Sequence, residues 1–443
     1  MSHGADHVWS VTEHLDSILG QLTPLEAIEL QLLDAQGCVL VEDVTVPVAL
    51  PPFENSSMDG YAVRVADTQA ATLEHPAVLE VVGDVAAGSD ALPSVGPGKA
   101  ARIMTGAPLP PGAEAVVPVE WTDGGTGGGP ATTMAAHSLD PSGAGGEVRV
   151  HQAAGKGQFV RARGSDVAAG ELALAAGTVL GPPQIGLLAA IGRSAVTVRP
   201  RPRVVVISTG SELVQPGDEL GAGRIYDSNS FVLTAAARDA GAIAYRVGAV
   251  IDEVETLRAA IEDQMVRADI IVTTGGVSVG AYDVVKEALS SLGGAMDQAE
   301  DGPGAAQGHV EFRKLAMQPG KPQGFGRIGP DRIPLLALPG NPVSAYVSFE
   351  LFVRPAIRTL MGAGSVHRDV VRAACVTAID SSPEGRRQFL RGRYDRTSGT
   401  VTPVGGAGSH LVAALAHANA LIVLPEAVTS TEAGDELDVV VLD

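Results

Sequence analysis

A chain of 443 residues is too long for one ordinary core, and its 45% apolar and 19% charged residues describe a folded, multidomain protein rather than a disordered one. A formal net charge of −20 argues against nucleic acid or an anionic membrane surface as partner and leaves small anions gathered by local cations. Cys38 and Cys375 form no CxxC pair, Met1 to Ser10 lack a basic-then-apolar leader, and no apolar run approaches a membrane span, so no membrane and a reducing cytoplasm are expected.

Residues 10 to 36 carry helical periodicity, with Val11, Leu15, Ile18 and Leu22 on one face, and Thr23-Pro24-Leu25 predicts the start of a second helix. Residues 40 to 46 read as a short strand. From 47 to about 165 the pattern becomes short β runs punctuated by Gly and Pro, among them 77 to 82, 100 to 104 and 115 to 118, which predicts a mostly β domain. Residues 123 to 146, dense in Gly, Thr, Ser and Pro, read as a hairpin tip within it. A short strand, a proline-started helix at 184 to 191 and a strand at 195 to 198 follow, and Arg199-Pro-Arg-Pro-Arg203 marks a boundary.

Residues 203 to 362 alternate. Strands at 203 to 207, 244 to 250 and 269 to 273 precede helices at 229 to 239, 253 to 267 and 283 to 292; strands near 309 to 317, 324 to 328 and 334 to 338 lead to a last helix, 342 to 360. Asp227 or Ser228 is the expected cap of the first helix and Gly241 its stop. This pattern predicts a mainly parallel, helix-covered sheet whose ligands bind outside the carboxyl ends of its strands. Residues 368 to 443 return to short strands, a small separate β domain.

With 54 glycines in the chain, a single glycine motif means little and only clusters count. Three glycine-bearing turns follow apolar strands in the α/β stretch: Ser208-Thr-Gly-Ser-Glu-Leu213, Thr274-Gly-Gly-Val-Ser-Val-Gly280 with Asp283 beyond it, and Leu338-Pro-Gly-Asn-Pro-Val-Ser344. Free backbone N–H groups at such turns, helped by a helix dipole, suit a phosphate, and the three are expected to converge on one rim. Glu212, Asp252 and Asp283 lie at or just past strand ends, where carboxylates beside a phosphate cradle suit Mg²⁺; each is equally readable as a helix cap. Candidate local cations are Lys314 and Lys321, Arg161 and Arg163, and Arg386, Arg387, Arg391 and Arg393. The histidines, among them His3, His7 and His14, lack metal-ligand spacing and read as solvated or capping residues.

These turns, taken with Ser57-Met-Asp-Gly-Tyr-Ala-Val-Arg64, Arg102-Ile-Met-Thr-Gly-Ala-Pro108, Arg163-Gly-Ser-Asp166 and Pro319-Gly-Lys-Pro322, resemble in order the molybdopterin molybdenumtransferase family, which includes bacterial MoeA and the gephyrin E domain. The resemblance runs from about residue 10 to the C-terminus. It implies a multidomain α/β plus β protein: a discontinuous α+β domain I from 1 to 46 and 170 to 200, a β-rich domain II from 47 to 169, a three-layer α/β molybdopterin-binding domain III from 201 to 365, and a β-barrel domain IV from 366 to 443. It further implies a cytoplasmic homodimer whose cleft lies between domain II of one subunit and domains III and IV of the other. Gln318 departs from the pattern, since many relatives carry Lys there.

The implied reaction inserts molybdate into adenylylated molybdopterin in a Mg²⁺-dependent step that releases AMP, with the molybdopterin adenylyltransferase as a further partner. By the resemblance, Asp59 and Thr105 from domain II and Glu212, Asp252 and Asp283 from domain III would be catalytic, the last three also holding the metal. Asp166, Gly275, Gly276, Ser278, Gly280, Lys321, Pro339, Gly340, Asn341 and Pro342 would bind substrate, with Arg391, Ser409 and His410 on the domain IV face. The competing reading is a molybdopterin-binding scaffold without catalysis.

Overall fold

The structure, a computed structural model, describes residues 7–134, 146–276, 285, 287–289 and 310–443. By its contacts the chain divides into two compact units, one of Met1–Val41, Gly177–Gly181 and Val196–Asp443, the other of Glu42–Ala176 and Pro182–Ala195.

The first unit is built on a seven-stranded sheet ordered Val8–Trp9, Val310–Leu315, Pro322–Ile328, Ile333–Leu338, Ile270–Thr274, Arg203–Thr209 and Ile243–Val250. The four strands from Ile333–Leu338 to Ile243–Val250 are parallel, while Pro322–Ile328 is antiparallel to both of its neighbours. The sheet is therefore more mixed than the alternating pattern predicts. Its central strands read as unbroken apolar runs because both faces are covered. Val204, Val206, Ile270, Val272 and Leu336 pack on one face with Leu233 and Ala237 of helix Asn229–Asp239 and with the last helix. Val205, Ile207, Ile271 and Leu335 pack on the other with Leu257 and Ile261 of helix Val254–Met265. The expected helix at 283 to 292 falls for the most part outside the described residues.

The last helix runs as predicted but changes pitch, from Pro342–Ser348 through a π turn at Phe349–Val353 to Arg354–Leu360. Pro355 has no N–H to continue the α ladder, and a wider turn just before it accommodates that loss. Helix Asn229–Asp239 has Ser228 at its N-cap without a side-chain cap bond; the buried Asp227 carboxylate instead accepts from the Ser230 N–H at 3.1 Å. After it Gly241 takes φ +107°, a backbone conformation that favours glycine at the stop.

Two expectations near the N-terminus fail. Val11–Leu19 is a helix closed by a capping box between Ser10 and Glu13, but no second helix follows: Ile28–Gln31 is a strand in a small sheet with Ala195–Arg199 and Val39–Leu40. The Leu25 N–H and carbonyl are taken by Leu360 (2.8 Å) and by the Arg199 guanidinium (3.1 Å), partners far away in sequence that outweigh a weak local helix signal. His14 is neither solvated nor capping. It is 1% exposed, edge-on to Phe352, and burial with the neighbouring Arg313 charge lowers its pKa to about 3.

Strands Arg387–Asp395, Thr400–Pro403, Val370–Cys375, Glu436–Val441 and Ala420–Leu424 close on themselves through the pairing of the first with the last, giving the C-terminal barrel. Met317–Gln318 adds to its Arg387–Asp395 strand, which ties the barrel to the α/β sheet.

The second unit holds a five-stranded sheet ordered Glu147–Val150, Ala77–Val85, Lys99–Ile103, Gly60–Val63 and Ala115–Pro118. Alternation along its strands feeds two cores, Tyr61, Val63 and Val117 on one side and Ala62, Ile103 and Val116 on the other. Of the expected hairpin tip, residues 135–145 lie outside the described residues. Among the described residues no helix is long and apolar enough to cross a membrane.

Candidate active site

In the α/β sheet the three glycine turns do meet at one rim. Gly275, at φ +102°, comes so close to the end of the Arg203–Thr209 strand that a Cβ would lie 2.1 Å from the Thr209 carbonyl oxygen. A Cβ on Gly340 would lie 3.3 Å from the Gly275 Cα, and the Gly275 N–H points to the Leu338 carbonyl at 3.3 Å. At Gly275 such approach of backbone to backbone is open only to glycine, and at Gly340 a side chain would be tight. It leaves Pro339, Gly340, Asn341 and Pro342 beside Gly275 and Gly276, with Pro342 starting a helix.

Glu212 and Asp252 come together on the same rim, from the ends of adjacent parallel strands. Burial first, and the Glu212 charge second, push the Asp252 carboxyl above the ordinary carboxylate range, while the Ser211 N–H and the Thr209 hydroxyl act in the opposite direction. A partly desolvated carboxylate beside a second one fits a divalent cation, which would remove the cost of its charge. Among the described residues no group of three His, Cys, Asp or Glu is placed to hold a metal. Asp283, the expected third carboxylate, lies outside the described residues, as do Ser278 and Gly280.

Lys321 reaches the same edge by strand register. Gly324 pairs with Ala337, so the residue just before Pro322 lies level with the turn after Leu338. The Gly320-Lys321 turn is held by the buried Gln323, whose amide donates to the Gly320 carbonyl at 2.7 Å and to the Ser348 hydroxyl at 2.6 Å. Lys321 itself is exposed. Ser409 is brought onto the start of the last helix, its carbonyl accepting from the Val343 N–H at 3.0 Å, with the exposed His410 next to it.

Arg391 is placed differently from an exposed ligand. It is 2% exposed, donates to the carbonyls of Gly406 and Gly408, and thereby shapes the loop that carries Ser409 and His410.

In the second unit, Asp59 and Thr105 form a pair: Asp59 Oδ1 accepts from the Thr105 N–H at 2.7 Å and from its hydroxyl at 2.8 Å. Both residues are exposed, at the ends of the paired strands Gly60–Val63 and Lys99–Ile103. Asp166 stands on a separate turn, its N–H donating to the Leu50 carbonyl at 3.0 Å, and is not part of that pair.

Sequence reasoning misses several polar residues of the first rim. Thr274, 1% exposed, donates to the Pro339 carbonyl at 2.9 Å. The Asn229 amide donates to Thr274 Oγ1 at 3.1 Å and to the Gly340 carbonyl at 2.7 Å. Asp227, wholly buried, accepts from Ser208 at 2.8 Å as well as from Ser230, and Arg246 approaches it to 3.9 Å. The available signal is the run Asp227-Ser-Asn229 at a helix start after a strand, which also reads as plain capping.

Known proteins resemble this chain along nearly its whole length. The chain matches family models for the MoeA N-terminal region (domain I and II) over residues 9–192, a probable molybdopterin binding domain over 205–359 and the MoeA C-terminal region (domain IV) over 378–442. It is 45% identical to molybdopterin molybdenumtransferase 2 of Mycobacterium tuberculosis, covering 97% of this chain and 98% of the relative. Molybdopterin molybdenumtransferase 1 of the same organism is 38% identical, with 98% and 99% covered. The crystal structure of the molybdopterin biosynthesis MoeA protein from Pyrococcus horikosii aligns with a TM-score of 0.73 at 30% identity, over 99% of this chain and 100% of that one. The chain belongs to the molybdopterin molybdenumtransferase family.

Proposed function

We propose that this chain transfers molybdate into adenylylated molybdopterin, releasing AMP and yielding molybdenum cofactor. The observation that carries the reading is the rim itself: three backbone turns able to cradle phosphate stand beside the Glu212–Asp252 pair, in a chain similar to named molybdenumtransferases over nearly its whole length.

In this reading the backbone N–H groups of Gly276, Gly340 and Asn341, on turns shaped by Gly275, Pro339 and Pro342, bind and orient the anionic end of the substrate. Lys321 supplies positive charge at the same edge, as capture of an oxyanion requires in a chain of net charge −20. Glu212 and Asp252, with Asp283, would hold Mg²⁺. When bound, that ion would stabilise charge on the phosphate as AMP departs. Arg391 positions the Ser409-His410 loop rather than touching substrate. Asp59, fixed by Thr105, keeps one carboxylate oxygen free of that pairing to accept a hydrogen bond or orient water, and Asp166 is assigned to substrate binding. The proposed domain limits are 1–46 with 170–200, 47–169, 201–365 and 366–443. The same reading makes the protein a cytoplasmic homodimer that takes its substrate from the molybdopterin adenylyltransferase.

Incubating purified protein with adenylylated molybdopterin, Mg²⁺ and molybdate tests the proposal. AMP release that depends on molybdate supports it; tight binding without AMP release would make the protein a molybdopterin-binding scaffold.

A further inference from the structure

Asn229 stands at the first residue of its helix, where an asparagine side chain ordinarily turns back on its own backbone or faces water. Here it reaches across the rim instead. Its two amide donations, to Thr274 Oγ1 (3.1 Å) and the Gly340 carbonyl (2.7 Å), join the strand that runs into Gly275 to the turn that contains Gly340. Thr274 in turn donates to the Pro339 carbonyl at 2.9 Å, so the Pro339 and Gly340 carbonyls are held from one side.

The helix start that carries Asn229 is anchored as well. Asp227 accepts from Ser208 at 2.8 Å and from the Ser230 N–H at 3.1 Å, fixing it to the end of the Arg203–Thr209 strand. The three glycine turns are thus connected through one helix start: Ser208 bonds Asp227, and two residues further along the chain Asn229 bonds Thr274 and the Gly340 carbonyl.

This arrangement is poorly explained as a device for stability alone. Among the described residues Asn229 Oδ1 is buried without a partner, although the amide orientation is fixed by the Gly340 carbonyl, which can only accept. A buried unpaired acceptor costs free energy. We propose that Asn229 is a positioning residue, which sets the spacing of the Gly275 and Gly340 turns and thereby the affinity of the rim for the anionic end of a pterin phosphate. This inference rests on the proposed molybdopterin reaction for its ligand.

The test compares full-length Asn229→Ala, Asn229→Asp, Thr274→Val and Thr274→Ser with wild type, by steady-state AMP release and by calorimetric titration with molybdopterin. Losing the two donations of Asn229 is expected to raise KM and Kd about tenfold, with kcat changed less than about twofold. Asn229→Asp, isosteric but facing the Gly340 carbonyl with a carboxylate, is expected to lose more. Thr274→Ser should lose less than Thr274→Val, and Asn229→Ala combined with Thr274→Val should fall short of additive. A Kd for Asn229→Ala equal to wild type, or a lowered thermal midpoint with KM and Kd unmoved, would overturn the proposal. If wild type binds molybdopterin but releases no AMP, the reaction is wrong and the Kd series still decides on Asn229. If wild type binds no molybdopterin, the positioning role falls too.

Discussion

The two rims solve the same problem, how to hold a carboxylate at a strand end, in opposite ways. In the second unit Asp59 is answered by neutral donors, the Thr105 N–H and hydroxyl at 2.7 and 2.8 Å on one oxygen. At the α/β rim the charge of Asp252 is disfavoured first by burial and second by a neighbouring carboxylate, Glu212. The first carboxylate has one oxygen satisfied within its own unit; the second calls for a proton or a cation. A site that must gather an anion and a metal is expected at the rim whose charges are unresolved.

The sharpest way to break that contrast is to neutralise the unresolved carboxylate. Asp252→Asn is expected to lower molybdate-dependent AMP release by about two orders of magnitude, since several kcal/mol of charge stabilisation at the phosphate depend on it. Its thermal midpoint should stay the same or rise, because the mutual repulsion with Glu212 is gone. Full activity would show that Asp252 does not serve the reaction. Next in size is Gly275→Ala, where a Cβ would stand 2.1 Å from the Thr209 carbonyl at φ +102°; a loss of about 2–4 kcal/mol is expected in chemical denaturation. A change within ±0.5 kcal/mol would mean that the turns do not approach this closely.

Smaller is the effect of removing the Thr105 hydroxyl. Thr105→Val keeps the N–H bond to Asp59 and is expected to cost about 1 kcal/mol and a few-fold in turnover. A loss as large as that of Asp252→Asn would erase the distinction between the rims. The mildest probe is pH. Because the folded state raises the Asp252 pKa, it binds more protons than the unfolded chain between the ordinary carboxylate value and the raised one. Asp252 therefore weakens stability progressively as pH rises through that window, and the penalty vanishes below it. The melting difference between wild type and Asp252→Asn should shrink on acidification through the window; a constant difference would show that Asp252 is unshifted.

Much of this was legible in residues 203 to 362. Apart from the helix at 283 to 292, which lies mostly outside the described residues, the apolar runs and their helices fall within a few residues of the observed elements, and the turns after Thr209, Thr274 and Leu338 converge as parallel-sheet topology requires. Ile28–Gln31 was not legible, because a four-residue strand whose partner lies more than 160 positions away leaves no local pattern. His14 and Arg391 misled for a related reason: a polar side chain in the sequence carries no sign of being buried. His14 is covered by Phe352 and Arg391 by the loop whose carbonyls it binds. Asp59 and Thr105 were candidates on resemblance alone, and their direct bond appears only once two strands pair.

The sequence by itself determined the alternation that builds a covered sheet, the glycines that let three turns close on one another, and the family whose motifs stand in register along the chain. These are properties of period, of residue type and of order. Tertiary structure alone decided that Asn229 and Thr274 lace those turns together, that Glu212 and Asp252 share one patch of field, and that Arg391 faces inward. Hydrogen bonds and Coulomb interactions depend on distance in space and on burial, and neither is written in the distance between residues along the chain.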